Sequence, residues 1–421
     1  MRERLNVWFE DRLAGTITRQ GKSRMAFAYA REWLQHPEHF PLSLGLPLRE
    51  QPYGHDATHA FFANLLPEQR VRMQVERQLH VSAGNDYALL EAIGAECAGA
   101  LAVLPEAEPS PGSEAQPDYY PLKRGELDQI IALLPRRPLL AGGDGLRLSL
   151  AGAQSKLSMV HAGEKFYLPL HGAPGTHILK PPVDDLPGLV ENEAFCMNLA
   201  AALELDVPEV DITDSVPRAF LIKRYDRFVT EKGVTRLHQE DCCQALGVPP
   251  ERKYENEGGP TLQDCFGLLD HAGRPDEEKR KLLRLVACNF LLGNADAHAK
   301  NYSLLYDNPP RPRLAPAYDI VCTGAYQGLG RKLAMKIGGQ YDPDYLFPRH
   351  WERLAREAGL SESLVLDELR GMAAMLLETL RPARELFEER YGVATVLRRV
   401  EAFVRARCET TLKRLDAPVE S

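Results

Sequence analysis

No run of apolar residues in this chain approaches the roughly 20 needed to cross a bilayer, so a membrane-spanning role is not expected. The start, Met1-Arg2-Glu3-Arg4, leads directly into strand-like LNVWF, without the apolar stretch of a signal peptide. Eight cysteines are present, with Cys242 and Cys243 adjacent, yet no CxxC pair and no Cys/His zinc spacing occurs. That pattern excludes a zinc module and reads as reduced thiols in a cytoplasmic protein. His171, His177 and His298 are too scattered in sequence to suggest a metal cluster. Basic charge is in deficit, 51 Lys+Arg against 59 Asp+Glu for a formal net −8. A chain that held DNA by itself would carry a net basic domain. Short basic runs such as 279–281 and 398–399 read as solvated helix faces. Neither a Walker A motif, nor GxGxxG, nor an internal repeat is present. What remains is an ordinary globular balance, 44% hydrophobic and 26% charged, in 421 residues, enough for two or three domains.

The most informative stretch is 293–301 (GNADAHAKN), followed by Tyr318-Asp319-Ile320. It places Asp296, then Asn301 five residues on, then a second carboxylate at Asp319. Phosphoryl transfer needs that order: one carboxylate takes the proton of an attacking hydroxyl, while an Asn oxygen and a second carboxylate hold Mg²⁺ against the phosphates of ATP. The D-x-x-x-x-N spacing equals that of a protein-kinase catalytic loop. Asp, Asn and Gly are also ordinary turn residues, so the spacing alone does not decide.

Upstream, residues 149–156 (SLAGAQSK) form a run of small side chains ahead of two strands, Leu157–Val160 and Lys165–Leu170. Small residues let backbone N–H groups approach phosphate oxygens, and they equally suit a plain β-turn. Strand-like 176–182 (THILKPP) carries Lys180, either a lysine for the α/β-phosphates or a solvated edge charge. Glu191 or Glu193 could pair with it, or both could answer the dipole of the helix they open. A further strand, Ala219–Tyr225, leads into Asp226-Arg227.

The sequence resembles the HipA-type serine/threonine kinases, the toxin half of bacterial HipBA toxin–antitoxin pairs. The resemblance rests on SLAGAQSK, THILKPP, ENEAFCMNLA (191–200), RYDRF (224–228), HQEDCCQALG (238–247), KYENEGGP (253–260), GNADAHAKNYS and PAYDI (316–320), in the family's order. Residues 7–17 (VWFEDRLAGTI) and 59–68 (HAFFANLLPE) look like that family's amino-terminal domain.

The resemblance implies an ATP- and Mg²⁺-dependent kinase in which Asp296 is the base and Asn301 and Asp319 hold the metal. His298 and Lys300 lie on the catalytic loop, Lys300 helping to neutralise the transferring phosphoryl group. Ala151, Gly152, Ala153, Gln154, Ser155 and Lys156 would form the phosphate loop, with Lys180 as the phosphate lysine. Arg224 and Tyr225 would hold adenine through the backbone, Asp226 would lie near the ribose, and Gln239 and Tyr318 near the nucleotide. Ser149 matches the serine that family members autophosphorylate. The partners implied are a HipB-like DNA-binding antitoxin, with any DNA contact made through that complex, and an aminoacyl-tRNA synthetase substrate, glutamyl-tRNA synthetase among the family's targets. An inactive co-repressor of the antitoxin is the alternative. This sequence departs from the family at Ser155, where an acid is frequent, and at Lys223.

The expected fold is α+β: a two-lobed protein-kinase-like arrangement with a strand-rich N-lobe (122–227) and an all-helical C-lobe (228–421). An added N-terminal α/β domain (1–104) precedes it, joined by a Pro/Glu/Ser-rich linker (105–121). Helices are expected at Ala26–Leu34, Phe61–Leu79, Glu277–Leu292, Ser361–Thr379 and Val393–Lys413, among others.

Overall fold

The computed structural model describes residues 4–21, 23–111, 117–123, 125–231, 233–307 and 311–417. The chain is α+β and divides into two compact units. The first comprises Met1–Pro181, Thr213–Glu251 and Leu305–Pro310; the second comprises Pro182–Ile212, Arg252–Leu304 and Arg311–Ser421.

In the first unit, alternating apolar residues build an antiparallel sheet. Its strand order is Arg24–Tyr29, Arg12–Gln20, Arg4–Phe9, Leu101–Pro105. Leu5, Val7, Ile17, Met25 and Phe27 point to one side and are buried against Phe61, Phe62, Val75, Tyr87 and Leu90 of the helices His55–Phe62, Gln69–Gln78 and Asp86–Ile93. The helix expected at Ala26–Leu34 is instead a strand followed by the short helix Arg31–Gln35. Phe27 exchanges both backbone hydrogen bonds with Tyr53 while its strand pairs with Arg12–Gln20. Tertiary pairing therefore overrides the local helical pattern. The helix expected over Phe61–Leu79 is two, parted at Pro67, which has no N–H to continue the first.

A second sheet of this unit runs in the order Tyr119–Pro121, Lys165–Pro169, Leu157–Ala162, His177–Lys180, Phe220–Lys223. Its core joins Leu157, Met159, Leu179 and Leu221 to Ile131 and Leu134, at the helix Glu126–Leu133. The end of the expected linker is thus an edge strand; residues 112–116 of it lie outside the described residues.

The second unit is mostly helical: Leu189–Ala202, Leu262–Leu268, Pro275–Leu292, Pro348–Ala358, Glu362–Tyr391 and Thr395–Leu415. A short strand, Pro312–Leu314, lies among them. The helix beginning at Glu362 continues through Pro382 to Tyr391, past its expected end at Thr379. Leu380 and Phe387 recur on its buried face, and the Phe387 ring meets Phe195 edge-on at 5.5 Å. That burial offsets the lost backbone hydrogen bond of the proline. Among the described residues no helix is long and apolar enough to cross a membrane.

Candidate active site

The loop carrying Asp296 begins where the helix Pro275–Leu292 stops. Pro275 occupies its first turn together with Asp276, Glu277 and Glu278, residues that suit a helix N-terminus. Gly293 ends it in the left-handed region (φ 75°), and a Cβ there would sit 2.1 Å from the Phe403 ring. Only glycine satisfies both demands.

Asn294 then organises the loop. Its buried amide nitrogen donates to Asn289 Oδ1 (2.9 Å) and to the Asp319 carbonyl (3.1 Å), and its Oδ1 accepts the Asp296 N–H (3.2 Å). One side chain thus fixes the main chain of both carboxylates. The Asp296 carbonyl accepts from the His298 N–H (2.8 Å) and from Asn301 Nδ2 (3.3 Å). Thr323 adds a second tie, donating to the Gly293 carbonyl and accepting from the Ala295 N–H, each at 2.9 Å. Asp296 itself is exposed, and its Oδ1 accepts the Tyr254 hydroxyl at 2.8 Å. His298 and Lys300 are both buried, so Lys300 is not a solvated loop lysine. The Tyr318 hydroxyl donates to the Lys300 carbonyl and pairs with Ser303 Oγ, each at 2.6 Å. It braces the loop.

Asp319 has φ 54°, a conformation uncommon for a residue with a side chain and frequent at functional positions. Just beyond it, Asn192, fully buried, donates to the Cys322 carbonyl and accepts the Cys322 N–H, both at 3.0 Å. Asn192 and Asn294 escape a reading of the sequence, because an asparagine that ties loop to helix has no spacing signature.

The donor set suits Mg²⁺. Asn301 gives its amide nitrogen to the Asp296 carbonyl, leaving its amide oxygen, and Asp319 supplies a carboxylate. Two hard oxygens are the usual protein share for a Mg²⁺ that keeps water and phosphate as its other ligands. Among the described residues no group of three His, Cys, Asp or Glu forms a metal cluster of its own.

In the first unit, Lys180 is buried in its strand, opposite Phe220 in register, with Nζ 5.7 Å from that ring's centroid. The loop 149–156 is held at both ends. The Ser149 N–H donates to the Glu96 carbonyl (2.8 Å), its hydroxyl donates to the Leu65 carbonyl (2.7 Å), and the side chain is completely buried. The Gly152 carbonyl accepts from Glu68 N–H (3.1 Å), at φ 108°. Lys156 Nζ donates to the Ala151 carbonyl (2.8 Å), closing the loop on itself, with Ala153 exposed at its tip and Gln154 and Ser155 half-buried.

Arg224, Asp226 and Arg227 turn inward. Glu96 Oε1 accepts from Arg224 Nη1 (2.7 Å) and Oε2 from Arg227 Nη2 (2.8 Å), while Asp226 accepts from Arg224 Nε and Nη2 and from the Gly99 N–H. The Asp226 carboxylate is therefore enclosed in an ion network. Burial pushes its pKa up, but Arg224 and Arg227 outweigh that and hold it well below the usual carboxylate range. The Arg224 N–H is also taken, by the Thr176 carbonyl (2.9 Å). The Tyr225 hydroxyl donates to Gln239 Oε1, joining two of the residues expected near the nucleotide.

All eight cysteines are buried and form no disulfide. Burial pushes Cys97, Cys288, Cys322 and Cys408 up to about 12, which removes thiolate chemistry at these positions.

A strand-rich unit with a glycine-bearing loop and a buried strand lysine, and a helical unit with Asp, Asn and Asp on one braced loop system, are the parts of a protein-kinase-like phosphotransferase. Family models match the chain twice: the HipA N-terminal domain over residues 5–104 and the HipA-like C-terminal domain over 148–380. The chain belongs to the HipA family of serine/threonine kinase toxins. It is 46% identical over 366 residues to the Sinorhizobium fredii protein Y4mE, covering 86% of this chain and 87% of that one. It is 32% identical over 362 residues to the serine/threonine-protein kinase toxin HipA of Shewanella oneidensis, covering 83% and 81%. The solved HipA of Shewanella oneidensis, in complex with HipB and operator DNA, superposes with a TM-score of 0.83 at 29% identity over 98% of each chain.

Proposed function

We propose that this chain is an ATP- and Mg²⁺-dependent serine/threonine protein kinase that acts as a toxin. In this reading Asp296 accepts the proton of the substrate hydroxyl, and Asn301 and Asp319 hold Mg²⁺, which neutralises phosphate charge when bound. Lys180 and the loop 151–156 bind the phosphates, and Lys300 offsets charge on the transferring group. One observation carries the reading: Asn294 locks the backbones of Asp296 and Asp319 together while leaving the Asp296 carboxylate exposed. Pre-positioned carboxylates are what phosphoryl transfer asks of a protein.

Self-inhibition at Ser149 belongs to the same proposal. Phosphate would bring up to about two negative charges to a place the structure makes completely buried. Such charge is costly to bury, so the phosphorylated loop should leave its position on Leu65 and Glu96. The protein substrate is taken to be an aminoacyl-tRNA synthetase, glutamyl-tRNA synthetase first. The partner is taken to be a HipB-like antitoxin, as the composition of the Shewanella complex supports. The buried, unpaired-by-disulfide cysteines support a reducing, cytoplasmic setting.

The test is intact mass and peptide mapping after incubation with Mg²⁺-ATP, beside Asp296→Asn. Phosphate gained on Ser149 or Ser155 in the unmutated chain alone supports the kinase. No gain from an unphosphorylated start removes self-phosphorylation and favours a co-repressor.

A further inference from the structure

The segment Arg252–Pro260 has no role in the reading above, yet it ends on the proposed base. Tyr254 donates its hydroxyl to Asp296 Oδ1 at 2.8 Å, and its ring meets His298 edge-on at 5.1 Å and 85°. The segment is built to hold that tyrosine still. Residues Glu255–Glu257 form a single 3-10 turn, Gly258 follows in the left-handed region (φ 83°), and the Gly259 N–H returns to the Tyr254 carbonyl at 2.9 Å. A Cβ on Gly259 would lie 2.1 Å from the Arg252 carbonyl oxygen, so the loop closes at a contact only glycine allows. Glu255 anchors it further. Its carboxylate accepts from the Lys336 N–H (2.6 Å) and pairs with Lys336 Nζ (3.1 Å), two residues from Ala334, whose N–H is bonded to the Ala295 carbonyl of the catalytic loop.

We infer that Tyr254 is a positioning residue for Asp296: its hydroxyl, held on Oδ1, fixes the rotation of the carboxylate that is to receive the substrate proton. This rests on the kinase reading, in which Asp296 is the base. A tyrosine hydroxyl and a serine hydroxyl are both donors to a carboxylate, so Tyr254 could instead block the acceptor's place. The anchoring decides for positioning. A removable block would sit on a segment able to swing away, whereas this loop is tied by its own backbone, by Glu255 and by the ring contact. A charge-assisted hydrogen bond that holds one rotamer of a general base favours the geometry in which proton transfer occurs.

Phosphoryl transfer from Mg²⁺-[γ-³²P]ATP, counted as label on the chain plus inorganic phosphate released, tests this with Tyr254→Phe, Asp296→Asn and the double variant. Tyr254→Phe should lower kcat by roughly tenfold, the low end for a hydrogen bond to a charged group because Asp296 is exposed. KM for ATP should stay within about twofold, and the melting temperature should not move. In the Asp296→Asn background the second change should add nothing, because Tyr254 acts through that carboxylate. Glu255→Ala, which loosens the loop without touching the tyrosine, should lower kcat in the same direction. Unchanged kcat in Tyr254→Phe, a rise in kcat, or equal losses in kcat and melting temperature each overturn the inference while Asp296→Asn stays inactive. Full activity in Asp296→Asn, or a wild-type chain that transfers no phosphate at all, overturns the kinase reading beneath it.

Discussion

Glu96 offers the sharpest test of how the first unit is held together. Its carboxylate takes three donors, Arg224 Nη1 at 2.7 Å, Arg227 Nη2 at 2.8 Å and the Gly175 N–H at 3.2 Å, and the side chain is completely excluded from solvent. Two guanidinium groups and two carboxylates, Glu96 and Asp226, make the cluster neutral. Glu96→Ala leaves it with one uncompensated positive charge and no water to screen it. Removing one partner of a buried pair costs about 3–5 kcal/mol, a large fraction of the roughly 5–15 kcal/mol that holds a domain. Glu96→Gln keeps the shape and loses the charge, so it should lie between wild type and alanine. Adding Arg227→Met to Glu96→Gln restores neutrality, and the double variant should be more stable than the sum of the singles by about 1–3 kcal/mol. Urea unfolding followed by tryptophan fluorescence measures all five proteins, wild type, the three single variants including Arg227→Met, and the double. The same series should show acid sensitivity. Arg224 and Arg227 outweigh burial and lower the carboxyl pKa of both Glu96 and Asp226. Their contribution is then complete above the unfolded carboxyl range and is lost as pH falls below about 4. Glu96→Ala should therefore flatten the acid limb of stability. An alanine variant within about 1 kcal/mol of wild type, or strictly additive doubles, would refute the reasoning.

Two further changes test separate parts of the structure. Glu240 is completely buried, accepts from the Leu44 N–H at 3.1 Å and from the Tyr306 hydroxyl, and is pushed up to about 7 by burial. A folded pKa above the unfolded value means stability is lost as pH rises from about 4.5 through 7. Glu240→Gln should remove that slope and gain on the order of 2–3 kcal/mol relative to wild type at pH 8, read from urea midpoints at pH 5 and 8. Gly293→Ala faces both a left-handed φ of 75° and the Phe403 ring at 2.1 Å. It should cost roughly 2–4 kcal/mol by thermal melting and abolish phosphoryl transfer, and adding Phe403→Ala should recover only the steric part.

How much of this was legible in the sequence follows from the range of each interaction. Asp296, Asn301 and Asp319 stand within 24 positions of one another, in the order the proposed phosphoryl transfer would use. The long helices announced themselves by three- and four-residue spacing, since burying one face is a local pattern. The family resemblance was legible because motifs were co-linear, and the HipA domain matches bear it out. Phe27 misled, because a strand paired on one side with Arg12–Gln20 and bonded to Tyr53 on the other looks, read alone, like a helix of apolar residues. The ion network around Asp226 was not legible: it is completed by Glu96, 130 positions away, and closure over that distance leaves no trace in local spacing.

The residues that do the supporting share one property: they are buried polar groups that hydrogen-bond across to a segment distant in sequence. Asn192 saturates the backbone of Cys322, Asn294 joins Asp296 to Asp319, and Glu96 binds the start of the loop 149–156 through its carbonyl and the Arg224–Arg227 segment through its carboxylate. A buried polar side chain is costly unless every donor and acceptor is met, so each tolerates one geometry and penalises the rest. That intolerance is what allows Asp319 to be held at a positive φ and Asp296 to stay exposed on a fixed backbone. The loop 149–156 differs at one point. Ser149 is held by a single neutral hydrogen bond from its hydroxyl, to Leu65, and a phosphate on that oxygen removes the donor as it adds the charge. In the proposed scheme the catalytic loop is thus built to stay and the phosphate loop to leave. The difference is chemical: an amide pair that nothing modifies against a hydroxyl that the proposed reaction would convert.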